Sequence, residues 1–220
     1  KCGYNEFWLE LSNSLIEIDG KKRTSIIIEP FNGRIPFLKK WTPITDFGTD
    51  GPEDRPLAER CLTPYGLAGG LPMLPAIYNN NYQIIQNEDS IAILSEMIHD
   101  VRMIRIGSAP AQKRTRRWMG NSTASWVNES LVIKTDGFNE KQYFFGSVKN
   151  LKLTEVLTKV SENRIKYKFT VENEDVFSRP WTGELILNRT SDVIFEYACH
   201  EGNKTISSVL TSARRKEKKQ

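Results

Sequence analysis

Two histidines are all the imidazole this 220-residue chain has, and each stands beside a carboxylate. His99 is followed by Asp100 and preceded by Glu96 in "SEMIHDVR"; His200 is followed by Glu201 in "YACHEGN". With an unperturbed pKa of about 6.5, imidazole suits general acid–base chemistry at neutral pH. The functional reading is that His99 and His200 meet across strands, with Glu96, Asp100 or Glu201 orienting one of them. The structural reading makes each a polar residue that a sheet tolerates. Alternation tempers the first. In a strand over 193–199, Phe195, Tyr197 and Cys199 share one face and Glu196, Ala198 and His200 the other. A strand over 91–99 puts His99 with Ser95 and Met97, opposite Glu96 and Asp100. Neither histidine then faces its adjacent acid.

A second group offers binding rather than proton transfer. "AIYNNNYQII" sets Asn79, Asn80 and Asn81 between Tyr78 and Tyr82, which brings amide donors and acceptors beside two phenols. Asparagine also builds Asx-turns, so a loop entering a strand is an equal reading. "SRPWTGE" places Arg179 near Trp181, a combination suited to an anion or a sugar-like ligand, and equally to an arginine over a core tryptophan. The run "GPEDRPLAERC" reads as a solvated ion-pair network. No pair of cysteines has C-x-x-C spacing and no H-E-x-x-H occurs; two histidines plus a carboxylate are a reasonable metal set but would come from distant segments, so no metal site is expected. The chain also lacks a G-x-S-x-G elbow, a P-loop and a G-x-G-x-x-G turn, which disfavours elbow-type serine hydrolysis and nucleotide-dependent chemistry and leaves any cofactor unknown. Cys199 and His200, adjacent in a strand, point apart and make a poor nucleophile–base pair.

The elements that must position these groups read as strands. "RIKYKFTVE" (164–172) alternates, with Ile165, Tyr167, Phe169 and Val171 on one face, and it pairs with "TEVLTKV" (154–160) across a short turn. "ASWVNESLVIKT" reads as two strands around Asn128-Glu129, and "TSIIIEP" as a strand stopped by Pro30. "WTGELILNR" and "VIFEYAC" form a further hairpin across Thr190-Ser191-Asp192. "SIAILSEMIHDVRMIRIG" also fits a helical stripe, but its β-branched density favours two strands after "YQII". A helix is expected only in "TISSVLTSARRKEK". Residues 31–81 are rich in Pro and Gly and read as a long loop of the kind that serves as a lid or binding loop.

The expected fold is mainly β: an antiparallel curved sheet or lipocalin-like barrel of roughly eight to ten strands. It forms one domain over 1–213 with the long loop at 31–81, a C-terminal helix and a basic tail at 214–220. That tail carries five cations and one acid, which accounts for the whole net charge of +4. The body is therefore neutral and nucleic acid is not an expected partner. No apolar run reaches the roughly 18 residues of a membrane helix, so no membrane span is expected. The opening Lys1-Cys2-Gly3-Tyr4 has no signal-peptide pattern and reads as a processed or trimmed start. Four N-x-S/T sequons, at Asn121, Asn128, Asn188 and Asn203, fit a surface-exposed secreted protein where the source glycosylates.

"GPEDRPLAERC", "LPAIYNNNYQIIQ", "SEMIHDVRMI", "SRPWTGEL" and "EYACHEGN", in that order, resemble a large family of uncharacterised secreted or periplasmic bacterial proteins, from about Tyr4 to Arg214. The loop "APAQKRTRRWMG" departs from the family's usual His- and Pro-containing one. The resemblance implies an extracellular or periplasmic protein. It also implies a disulfide between Cys61 and Cys199, both within matching motifs, with Cys2 left free or paired elsewhere. Three functions follow as expectations. The first is an exported binding protein for a small organic or carbohydrate-like ligand, using Tyr78 to Tyr82, Arg179 and Trp181. The second is an exported lyase or hydrolase using histidine acid–base chemistry. The third is a structural or assembly subunit, with homo-oligomerisation open.

Overall fold

The computed structural model of the protein describes residues 15–42, 48–63, 70–76, 78–107, 115–146 and 148–219. A small hairpin of β1 (Ile16–Ile18) and β2 (Lys21–Arg23) precedes the main sheet. That sheet has nine strands: β3 (Ile27–Glu29), β4 (Tyr82–Gln86), β5 (Ser90–Ser95), β6 (Val101–Ile106), β7 (Asn121–Val127), β8 (Ser130–Asp136), β9 (Lys152–Ser161), β10 (Arg164–Glu172) and β11 (Trp181–Asn188). Helix α1 (Thr205–Glu217) closes the chain. Strands β4 to β11 follow one another across the sheet in chain order, and β3 adds beyond β11. Every pairing is antiparallel except β6 with β7. Of the two expected forms the sheet takes the open one. It curls into a half-barrel whose edge strands, β3 and β4, do not pair with each other.

Side-chain alternation builds the concave face in rows. Leu131, Leu157, Tyr167 and Leu185 stand side by side across β8 to β11; one step along, Ile133, Glu155, Phe169 and Gly183 do the same. Leu153, Leu157, Tyr167, Phe169 and Val171 are all buried, as period-two alternation requires when one face is covered. Gly183 has a packing reason: a Cβ there would lie 2.3 Å from the Phe169 ring. Only a bare backbone lets the ring lie across β11. At the far end of this face, Phe144, Phe169, Phe177 and Trp181 pack edge-on or stacked. Apolar burial of this extent is the main stabilising term of the fold.

The long loop is not free. Its 3-10 turn Pro52–Asp54 is capped by a hydrogen bond from the Gly51 N–H to the Asp54 carboxylate. Arg55 grips Glu59 through two hydrogen bonds of 2.9 and 3.0 Å, the ion-pair role expected of the mixed-charge run. Leu71, Met73 and Leu74 are buried in the core cluster, so this part of the loop fills the half-barrel like a plug. The Cys61–Cys199 disulfide, with Cα atoms 5.7 Å apart, ties the loop to the C-terminal segment. Cys2 lies outside the described residues, as does the start of the "APAQKRTRRWMG" loop.

One expected hairpin does not form. Residues 193–199 run as irregular chain rather than as a strand. Part of the reason lies in the sheet: β11 is bonded to β10 along one side, and on its other side β3 already holds Thr182 and Gly183. Two of the segment's N–H groups go to side chains instead, Phe195 to Glu96 and Tyr197 to His99, and that of Cys199 goes to the Tyr197 carbonyl.

Candidate functional site

The open side of the half-barrel holds a cleft of about 1350 Å³. Its floor is the concave face: Ile91, Leu131, Leu157 and Leu185, with Met73 and Leu74 of the plug. The next inward row, Lys159, Ile165 and Leu187, forms the upper wall. Trp126 shares the inward parity of Ser122 and Ala124, pairs with Leu131, and is 51% exposed. The hairpin tips bring Glu129 and Glu162 to the mouth, and the coil after β11 adds Arg189, Asp192, Val193 and Ile194. An apolar floor under a few polar rim groups is the usual form of a small-molecule site.

The residues expected from sequence divide across this geometry. Asn80, Asn81, Tyr82 and His99 line the cleft. Asn80 is occupied with its own loop: it accepts from the Ala76 N–H at 2.6 Å and donates to the Ala76 carbonyl at 2.9 Å. Asn81 donates both its backbone N–H and its side-chain amide to Glu96. Tyr78 hydrogen-bonds Tyr197, whose phenol is pushed up to about 12, first by burial and then by Tyr78. Asn79 takes a left-handed backbone, φ 54°, as asparagine tolerates. Arg179 is exposed on the bend before β11. Trp181 is 1% exposed within the aromatic cluster, so the "SRPW" pair does not converge on a ligand surface.

The histidines are not brought into one cleft. β5 ends at Ser95, and His99 sits in the 3-10 turn Met97–His99, where Ile98 and His99 both have positive φ. This corrects the strand placement over 91–99. His99 is exposed, and its Nδ1 accepts the Tyr197 N–H at 3.2 Å. His200 and Glu201 are exposed, and the Asn203 N–H closes a turn onto the His200 carbonyl. Glu96, 1% exposed, accepts three hydrogen bonds, two from Asn81 and one from the Phe195 N–H at 3.0 Å. It bolts the C-terminal segment to the β5 turn. Asp100 is half-buried, and burial raises its pKa, opposed by the Val101 N–H. Among the described residues no group of three or more His, Cys, Asp or Glu converges to hold a metal.

Sequence reading missed a buried polar cluster on the concave face. Arg102, 3% exposed, donates to Ser122 at 2.9 Å, to Thr135 at 2.7 Å and to both oxygens of Glu155, which is 0% exposed. Tyr167 donates to Glu155 at 2.7 Å and accepts the Met73 N–H at 3.1 Å. Burial pushes the Tyr167 phenol well above its ordinary value, and the charge on Glu155 adds to this. A hint lay in "LTEVL": alternation puts Glu155 on the face of Leu153 and Leu157, and a carboxylate there demands a partner. Trp126 and Lys159 were legible by the same parity count.

Compared with known proteins, the chain matches no family model, no curated protein and no solved structure.

Proposed function

We propose that the protein is an exported binding protein for a small, largely apolar organic molecule, held on the concave face of the half-barrel. The observation that carries this reading is the cleft itself: about 1350 Å³ over a leucine-rich floor, with a half-exposed tryptophan on its wall. Water against Trp126, Ile165 and Leu187, which the fold leaves part-exposed, is unfavourable, and a ligand that replaces it gains the burial energy of that surface. The disulfide is of the kind that persists in oxidising compartments, which supports export and agrees with the family resemblance. The lyase or hydrolase alternative draws less support. Only one imidazole lines the cleft, and its Nδ1 already accepts a backbone N–H.

The test is a titration with a neutral solvatochromic dye such as Nile red. Saturable 1:1 enhancement is expected, lost in Leu187→Asp under conditions where its circular dichroism is that of the folded parent. A signal that never saturates, or that survives Leu187→Asp, argues against the site.

The assembly reading rests on a different observation. Ile85 and Met103, both 56% exposed, lie in one register row with Ala92 on the convex face. It predicts self-association that Met103→Lys abolishes; a concentration-independent monomer by sedimentation sets it aside.

A further inference from the structure

The wall of the cleft carries a cation where alternation alone would extend the leucine floor. Along β9 the inward positions are Leu153, Glu155, Leu157 and then Lys159. In register beside Lys159 come Ile165 and Leu187. The lysine side chain thus starts beside apolar neighbours and is itself exposed, a position from which a long cationic side chain keeps its ammonium in water. Lys159 lines the cleft, and no described residue forms an ion pair or hydrogen bond with its ammonium. The contrast with Arg102 and Glu155 on the same face is direct, since every buried charge there is paired.

Arg189 lines the same mouth just past β11. The acids there are placed differently. Glu129 sits in the turn between β7 and β8, and Glu162 in the turn between β9 and β10, both at hairpin tips and, like Lys159 and Arg189, exposed. Asp192 already accepts the Thr190 hydroxyl at 2.6 Å. Cations therefore stand on the wall, next to the apolar floor, while free acids stand at the tips.

The geometry points to an amphiphile with a single anionic head as the ligand class: an apolar body over Leu131, Leu157 and Leu187 beside Trp126, with its carboxylate or equivalent on Lys159. This rests on the reading of the cleft as a ligand site and adds the head group to it. Beside low-dielectric walls an ammonium–carboxylate contact is stronger than on an open surface, and charge complementarity separates head groups that share one tail.

The experiment uses three probes built on a ten-carbon chain, below their micellar concentrations, read by calorimetry on the intact, oxidised chain. They are decanoate, decanol and decyltrimethylammonium. Decanoate is expected to bind about tenfold more tightly than decanol, and decyltrimethylammonium more weakly than either. Lys159→Gln should remove decanoate's advantage and leave decanol unchanged, while Lys159→Arg should keep it; unfolding midpoints of both variants should match the parent. Equal binding of decanoate and decanol, or a decanoate affinity indifferent to Lys159→Gln, overturns the anionic head and leaves the binding site standing. Preference for the cationic probe overturns it in favour of the tip acids. Failure of decanol and decanoate alike overturns both the head group and the site.

Discussion

The two ends of the concave face use the same kinds of side chain to opposite effect. At the closed end Arg102, Glu155, Tyr167, Ser122 and Thr135 satisfy one another out of water, next to a packed aromatic cluster. At the open end Lys159, Arg189 and Trp126 stand on the same face with no such partners, over a leucine floor. A buried charge must be paired because desolvation is costly, so pairing at the closed end is a condition of folding. An unpaired cation on an apolar wall carries no such duty and is free for a ligand. Polar groups in a β half-barrel are therefore best sorted by their partners rather than by residue type.

The contrast can be broken at its closed end first. Glu155→Gln leaves Arg102 as an uncompensated buried cation and should cost about 3–5 kcal/mol in urea unfolding. The double variant Arg102→Met/Glu155→Leu should recover part of that loss, since an apolar pair of similar volume needs no partner while the Tyr167 hydroxyl loses its acceptor. Were Glu155→Gln neutral, the cluster would not be a condition of folding.

Opening the disulfide by Cys199→Ser should cost about 2–4 kcal/mol, because the bond closes a loop with a sequence separation of 138 residues. Amide exchange in 193–199 should rise with it, since the segment has no sheet ladder to fall back on. Glu96→Ala removes three hydrogen bonds to one carboxylate and should cost about 1.5–3 kcal/mol, with the same exchange signature and no change in the sheet.

Asp100 gives a smaller, signed effect. Burial raises its pKa above the usual carboxylate value of 3.8, so the folded state holds the proton more tightly than the unfolded chain. Its contribution favours folding below that value and is lost as pH rises through the folded pKa. Asp100→Asn should therefore raise the thermal midpoint at neutral pH and change it little near about pH 3. A midpoint lowered at neutral pH would mean that the carboxylate is stabilising, against the sign given by its burial.

Least affected should be the open end: Trp126→Ala and Lys159→Gln are each expected to shift stability by no more than about 0.5 kcal/mol, while they alter ligand binding.

How far this contrast was legible in the sequence differs from element to element. The β9–β10 and β7–β8 hairpins follow from period-two patterns and short turns, and helix α1 from its single apolar stripe. The strand expected over 193–199 has a strand-like composition, yet β10 and β3 already pair with β11, and Glu96 and His99 take the N–H groups of Phe195 and Tyr197, all contacts with distant segments. In "VRMIRI" the pattern is inverted: Val101 and Met103 face out while Arg102 faces in. Local hydrophobicity cannot announce an arginine whose partner lies 53 residues away. Trp181, expected beside a ligand, is buried, and Trp126, to which the sequence assigned no role, stands half-exposed, because burial depends on which end of the half-barrel is closed, and the aromatic residues that close it come from separate segments. His99 left the expected strand for a turn, where it serves the C-terminal segment.

The most direct test is a map of backbone amide shifts in the isotopically labelled, oxidised protein during titration with decanoate. The predicted result is saturable change concentrated at Trp126, Leu131, Leu157, Lys159, Ile165 and Leu187, with Arg102, Glu155 and Trp181 unmoved. Shifts centred on His200 and Arg179, or spread evenly without saturation, would contradict the assignment of the open end as the binding surface.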